Sequence, residues 1–256
     1  MDNNALMDQA TADVMKMLSS SGAMEMLYDQ TKKIMWSMVE YKDMQMLYTC
    51  AMREVKTKFE ILDSEFKLKH KRNPIISITS RLKRTESLVE KIMRRGFDFS
   101  IESIEENIND IAGVRVICSY VDDIYFIADA LLSQDDVTLV ARKDYIEDPK
   151  PNGYRSLHLI VSIPVFLSEG RREVKVEVQI RTIAMDCWAA LEHQMKYKRE
   201  IPDAERVSAE LRACADVMAE TDRKMLKLRH EIELAEDVPT EEDELFDRLG
   251  RFDVQI

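Results

Sequence analysis

Glu177 stands in the run Val174-Lys175-Val176-Glu177-Val178-Gln179-Ile180, whose strict alternation predicts a strand. Lys175, Glu177, Gln179 and Arg181 then share one face and the valines the other. A carboxylate set among an amide and cations suits the floor of a site. A second acid, Asp110, comes just before the run Ile111-Ala112-Gly113-Val114-Arg115. Carboxylates at strand edges hold Mg²⁺ through one or two oxygens while substrate phosphates and water supply the rest of its octahedron. Asp110 and Glu177 could form such a pair.

The segment from Lys143 to His158 carries Pro149, Pro151 and Asn152-Gly153, which together demand a turn. Tyr154, Arg155 and His158 follow at once, with Lys150 beside them. An aromatic ring presented by a rigid turn can stack on a nucleobase, worth about 1–3 kcal/mol per base. Between Ser77 and Arg95, the residues Arg81, Lys83, Arg84, Lys91, Arg94 and Arg95 place positive charge at the start and along one side of a helix. Guanidinium forks and ammonium groups meet polyphosphate well. Taken singly, each of these features also fits a solvated strand, a plain hairpin or a solvated helix face.

The elements that must position these groups follow from periodicity. From Leu27 to Phe66 apolar residues recur at steps of three and four, among them Tyr41, Met44, Tyr48, Met52, Val55, Phe59, Leu62 and Phe66, which predicts one long helix. Residues 1–22 read as a shorter helix ending near Gly22. The middle of the chain changes period, with strands expected at Val114–Cys118, Val137–Tyr145, Leu157–Ile163 and Val174–Ile180. Helices are expected at about 84–95, 101–108, 122–132 and 182–198, the second started by Ser100. After Pro202 the stripe Val207, Leu211, Cys214, Val217, Met225, Leu228, Ile232 predicts another long helix that stops before Pro239. Leu245, Phe246, Leu249 and Phe252 could dock a final turn. The organisation expected is a helical extension over 1–70, a catalytic core over 71–200, and a helix with an acidic tail over 201–256.

Composition narrows the chemistry. The net charge of -11 is concentrated between Glu231 and Asp247, where nine carboxylates occur with no Lys or Arg. A chain with pI near 5.0 lacks the broad basic face that stable nucleic-acid binding needs, so a small phosphorylated ligand suits it better. Cys50, Cys118, Cys187 and Cys214 lie far apart with no Cys-x-x-Cys pair, which signals neither a disulfide framework nor zinc and suits a reducing cytoplasm. There is no apolar run near the ~20 residues that span a bilayer and no leader pattern, so neither export nor a membrane is expected.

Four strings in order resemble the synthetase domain of the RelA/SpoT family, and its small alarmone synthetases in particular, over about Ile76 to Lys198. They are Arg81-Leu82-Lys83 with Ser87 and Lys91; Asp110-Ile111-Ala112-Gly113-Val114-Arg115; Asp144-Tyr145-Ile146 with Pro149 to His158; and Glu177-Val178-Gln179-Ile180-Arg181-Thr182 with Trp188, Glu192 and His193. The resemblance implies an α+β, nucleotidyltransferase-like fold with a mixed central sheet of about five strands between long terminal helices. It implies transfer of pyrophosphate from ATP to the ribose 3′-hydroxyl of GTP or GDP, with Mg²⁺ as cofactor. By the same likeness Asp110 binds the metal, Arg81 and Arg115 sandwich adenine, and Lys83, Ser87 and Lys91 meet the ATP phosphates. Tyr154 would stack on guanine, Lys150 and His158 would serve the acceptor, Gln179 and Asp186 would lie along its pocket, and Glu177 would activate the hydroxyl and help the metal. A homo-oligomer, a tetramer by likeness to the small synthetases, with an alarmone effector is implied too. No His-Asp metal constellation is found among His70, His158, His193 and His230, so a hydrolase activity is not expected. Adenine nucleotides or tRNA as acceptor, or a catalytically silent nucleotide-binding module, are the competing readings, and the choice between GTP and GDP stays open.

Overall fold

The computed structural model describes residues 21–196 and 203–235. Expectations for residues 1–20 and for the acidic tail beyond 235, including the docking of Leu245 to Phe252, lie outside them. Helix α1 runs Ser21–Lys69 without a break, longer at both ends than periodicity suggested. It is followed by β1 (Ile75–Leu82), α2 (Thr85–Arg95), α3 (Ile101–Asn107), β2 (Ala112–Cys118) and α4 (Val121–Leu132). Then come β3 (Thr138–Asp144), β4 (Leu157–Leu167), β5 (Gly170–Thr182), α5 (Ile183–Lys196) and α6 (Ala204–Ala235). The chain divides into two compact units, Met1–Met46 and Leu47–Ile256, and everything below concerns the second.

Five strands form one mixed sheet in the order β1-β2-β5-β4-β3. Only β2 and β5 run parallel; the other three pairings are antiparallel. The α+β class with a five-stranded mixed sheet is therefore as expected. Strand β1 is a correction, because the segment holding Arg81 was read only as the approach to a basic helix. Its Ile75-Ile76-Ser77-Ile78-Thr79 pattern pairs with β2, so Arg81 projects from a strand, and the helix begins only at Thr85. Strand β4 also passes Pro164, where the sequence suggested it stopped. Pairing with β3 ends at Ser162, so Pro164 lies where the outer side of β4 has no strand to bond and a missing N–H costs nothing.

The valine face of β5 makes the core. Val174, Val176, Val178 and Ile180 are buried, as are Val114 and Val116 of β2 and Leu157, Leu159, Val161 and Ile163 of β4. Helix α4 packs on β5 and β2 through Ile124, Ile127, Ala128 and Leu131. From Leu47 onward α1 buries Ala51, Val55, Phe59, Leu62 and Phe66 at helical spacing, with Phe66 meeting Phe126 of α4 at 5.2 Å between ring centroids. Burial of each of the larger side chains among these contributes about 1.5–3 kcal/mol. Ser100 caps α3 as expected, its hydroxyl accepting from the Ser103 amide at 3.1 Å.

Candidate active site

Register builds the floor of the site. Strand β1 sets Arg81 beside Gly113, and β2 sets Gly113 beside Glu177 and Arg115 beside Gln179. The next row continues from Gln179 to His158 of β4. Neighbours in a row project to the same face of a sheet. Gly113 leaves an open space between Arg81 and Glu177, where any other residue would stand. A methyl there would sit 3.8 Å from the Arg81 carbonyl oxygen and 3.9 Å from that of Glu177, an ordinary contact for the strands. The glycine thus gives the cleft depth rather than easing the pairing. The result is a cleft of about 280 Å³ whose lining includes Arg81, Asp110, Gly113, Arg115, Glu177 and Gln179.

The two acids therefore converge on one space. Asp110 accepts from Lys91 Nζ at 2.7 Å through Oδ1 and from Lys83 Nζ at 3.0 Å through Oδ2. Burial alone would raise its pKa, but the two lysines outweigh that and hold it below the usual carboxylate range. Arg115 Nε is buried with no hydrogen-bond partner among the described residues, an open donor at the cleft wall. Among the described residues no three or more His, Cys, Asp or Glu side chains gather closely enough to hold a metal. A hard cation of the Mg²⁺ kind could take oxygens from Asp110 and Glu177 here and the rest from phosphate and water.

Glu177 belongs to a closed ring of hydrogen bonds. Its Oε1 lies 3.3 Å from His158 Nδ1 and its Oε2 accepts from Gln179 Nε2 at 2.8 Å. His158 Nε2 lies 2.7 Å from the Tyr154 hydroxyl, Arg181 donates to that hydroxyl oxygen, and the same guanidinium donates to Gln179 Oε1 at 2.8 Å. Only one assignment satisfies every donor. Arg181 gives to Tyr154, Tyr154 O–H gives to His158 Nε2, and His158 Nδ1–H gives to Glu177. Burial lowers the His158 pKa, partly offset by Glu177, so the imidazole is neutral and this contact is a hydrogen bond rather than an ion pair. Burial raises the Glu177 pKa, yet the bonds from His158 and Gln179 reverse the shift and keep it ionised. A carboxylate so held accepts a proton only as it is released by a reacting group.

The turn after β3 presents the rest. Gly153 has φ of 89°, and the turn closes through Gly153 N to Lys150 O at 2.8 Å. Lys150 Nζ sits 4.5 Å from the Tyr145 ring centroid and 4.6 Å from that of Tyr154. Burial lowers the Lys150 pKa. Helix α6 buttresses this turn: a Cβ on Gly153 would meet Ala215 Cβ at 2.6 Å, Arg155 donates to Ala215 O at 3.2 Å, and Trp188 Nε1 donates to Leu211 O at 2.8 Å.

Of the candidate residues, Arg81, Asp110, Arg115, Glu177 and Gln179 line the cleft, and Lys83 and Lys91 reach it through Asp110. Lys150, Tyr154 and His158 form the adjoining cluster, tied to Glu177. Ser87 lies on an exposed part of α2 and is not among the residues lining the cleft. Asp186 accepts from Arg115 at 3.2 Å and from Arg181 at 3.2 Å, standing between the two groups. Sequence reasoning put Arg181 on the right face of β5 but gave it no role; its place in the alternation was the available signal. A larger cavity, about 480 Å³, lies by His70, Arg72, Asp122, Asp123 and Phe126. Its carboxylates are engaged by Arg72 and Arg229, and neither Asp110 nor Glu177 is among its lining residues.

Residues 80–202 match the family model described as the region found in RelA/SpoT proteins. The chain is 44% identical over 196 residues to the GTP pyrophosphokinase YwaC of Bacillus subtilis, covering 77% of this chain and 93% of that one. The crystal structure of small alarmone synthetase 2 from Bacillus subtilis superposes with a TM-score of 0.68 at 43% identity, over 75% of this chain and 99% of that one. That of small alarmone synthetase 1 from the same organism, bound to its product pppGpp, gives a TM-score of 0.69 at 34% identity, over 75% and 98%.

Proposed function

This chain belongs to the RelA/SpoT family, and from that premise we infer that it is a GTP pyrophosphokinase, a small alarmone synthetase that moves pyrophosphate from ATP to the 3′-hydroxyl of GTP or GDP. One observation supports this reading most. Asp110 and Glu177, 67 residues apart in the chain, line one cleft with Arg81 and Arg115, and the Tyr154–His158 pair touches Glu177 directly.

In the mechanism, the 3′-oxygen attacks the β-phosphorus of ATP, a new P–O bond forms, the bond to the α-phosphate oxygen breaks, and AMP leaves. Glu177 takes the hydroxyl proton as that bond forms, since its depressed pKa rules out full deprotonation beforehand. Arg81 and Arg115 flank the adenine, and Lys83 and Lys91 exchange Asp110 for phosphate oxygens, with Ser87 at the same end. Tyr154 stacks on the acceptor base once Lys150 leaves its ring for the acceptor phosphates, and His158 keeps Glu177 oriented. Mg²⁺, when held by Asp110 and Glu177, draws charge from the phosphates. Alignment of the two bound nucleotides supplies much of the rate, up to ~7–11 kcal/mol in favourable cases.

The reading extends to assembly, address and layout. Val217, Met225, Leu228 and Ile232 of α6 are exposed, which supports packing of copies into a homo-oligomer, a tetramer on the family pattern, with an alarmone as effector. Light scattering should show a species larger than the monomer; a monomer across working concentrations removes this part. Cys50, Cys118, Cys187 and Cys214 are thiols not joined in disulfides and, among the described residues, no helix is long and apolar enough to cross a membrane, which supports a cytoplasmic enzyme. The layout proposed is a catalytic core over 71–200, flanked in sequence by the segments 1–70 and 201–256.

Incubation with ATP, Mg²⁺ and one acceptor at a time, followed by anion-exchange separation, tests the activity. AMP and a 3′-pyrophosphorylated guanine nucleotide are expected. Transfer to adenine nucleotides or tRNA, with none to GTP or GDP, overturns the acceptor assignment. Nucleotide binding without any turnover makes the chain a silent binding module.

A further inference from the structure

Arg181 is 4% exposed, yet three of its four side-chain partners, Asp186, Gln179 and Tyr154, belong to the cleft or to the cluster beside it. Its Nε donates to Ser156 Oγ at 3.2 Å, one terminal nitrogen to Asp186 Oδ1 at 3.2 Å, and the other to Gln179 Oε1 at 2.8 Å and to the Tyr154 hydroxyl. A buried guanidinium is expensive to desolvate and is kept only where it is paired and fully bonded. A single carboxylate oxygen of Asp186 is shared between Arg181 and Arg115, the latter a wall of the donor side of the cleft. From Arg115 a continuous path of bonds therefore runs through Asp186 and Arg181 to Tyr154, His158 and Glu177.

The two ends of this path cannot move independently. If Arg115 swings toward an adenine ring, Asp186 is left to Arg181 alone. If Tyr154 turns to meet an acceptor base, its hydroxyl must leave Arg181 or His158. A planar guanidinium has fixed donor directions, so a shift demanded by one partner is felt by the others.

We propose that Arg181 is a positioning residue that couples the two nucleotide sites, so that filling the donor side changes the affinity of the acceptor side through Asp186 and Tyr154. Thermodynamic linkage then requires the reverse effect to have the same magnitude. This rests on the functional reading above.

The test is a double titration of the full chain. Affinity for GDP is measured by calorimetry with and without a saturating, non-hydrolysable ATP analogue, and affinity for the analogue with and without GDP. The parent protein should show equal coupling factors in both directions, within the range of about 5- to 150-fold usual for linked sites. Arg181→Lys, which keeps the charge but cannot bridge four partners, should bring the factor to about one, whatever happens to each affinity alone. Asp186→Ala removes the one oxygen that both Arg115 and Arg181 share, at a partly exposed side chain, and should reduce the factor too; it carries the test alone if Arg181→Lys does not fold. A parent factor of one, or parental coupling retained by the folded variants, overturns the proposal. Failure of the parent to bind either nucleotide would instead overturn the functional reading.

Discussion

Two clusters of carboxylates and cations stand in the same unit and do different work. At the first, Arg72 grips Asp123 at 2.8 and 2.6 Å, Arg229 grips Asp122 at 3.2 and 2.5 Å, and both guanidiniums lie over the Tyr120 ring, at 5.1 and 4.8 Å. Asp123 also accepts from the Tyr120 amide at 3.2 Å, which closes the start of α4. At the second, Lys83 and Lys91 hold Asp110 on the lining of a cleft. The first cluster uses forked, planar donors with aromatic cover, and it fastens the end of α1 and the end of α6 to the start of α4. The second uses point charges on flexible stems, which can change partners at little cost when phosphate arrives. Ion pairing by itself therefore says nothing about function; the kind of cation and access to an open space separate a rivet from a reagent.

The contrast can be broken from either side. Glu177→Gln should lower turnover about 10²- to 10⁴-fold with nucleotide affinity largely kept and melting temperature little changed, read by product formation and thermal unfolding. Unchanged turnover would remove Glu177 from proton transfer. Asp123→Ala should destabilise the fold by about 1.5–3 kcal/mol, because Arg72 loses its two bonds to Asp123 while staying partly exposed, and the folded fraction should turn over normally; urea titration gives the number. Tyr154→Ala should weaken the guanine nucleotide by about 1–3 kcal/mol and ATP much less, since only the acceptor base loses a stacking partner; equal weakening of both would remove that assignment.

Acid should also separate the two clusters. His158 has its pKa lowered by burial, so its neutral form persists below the ordinary 6.5, and activity should fall only as pH drops through that depressed value and Nε2 can no longer accept from Tyr154. Asp122 resists protonation because, although burial opposes ionisation, Arg229 more than compensates. Its contribution to stability is complete above the ordinary carboxylate value of 3.8 and is lost as pH falls through the lower folded value. A pH–activity profile beside a pH–melting profile reads both limbs. The smallest effect expected is Ser100→Ala, about 1 kcal/mol in thermal unfolding with unaltered kinetics, from loss of the α3 cap.

Much of this was legible in the chain. Alternation in β5 gave the face that carries Glu177, and Asn152-Gly153 directly after Pro149 and Pro151 gave the turn that presents Tyr154. Strand β1 was hidden because its charged end runs straight into a basic helix, so local charge drew the eye from the shorter β-branched stretch before it. Asp186 was expected along the acceptor pocket, and the structure bonds it to Arg115 and Arg181. Nothing in linear spacing marks that bridge, because it depends on where α5 leaves β5 beside β2. Tyr145 likewise shares Lys150 with Tyr154 only after the hairpin closes.

The parallel pairing of β2 with β5 has a temporal side. Gly113 cannot meet Glu177 until β3 and β4, which lie between them in the chain, have been made, and β5 must then insert between β2 and β4. Such long-range closure is slow to nucleate. On the ribosome, a nascent chain ending short of Thr182 has no working cleft, however complete its helices. The enzyme is therefore silent through most of its own synthesis, and signalling output can begin only once the last strand is in place.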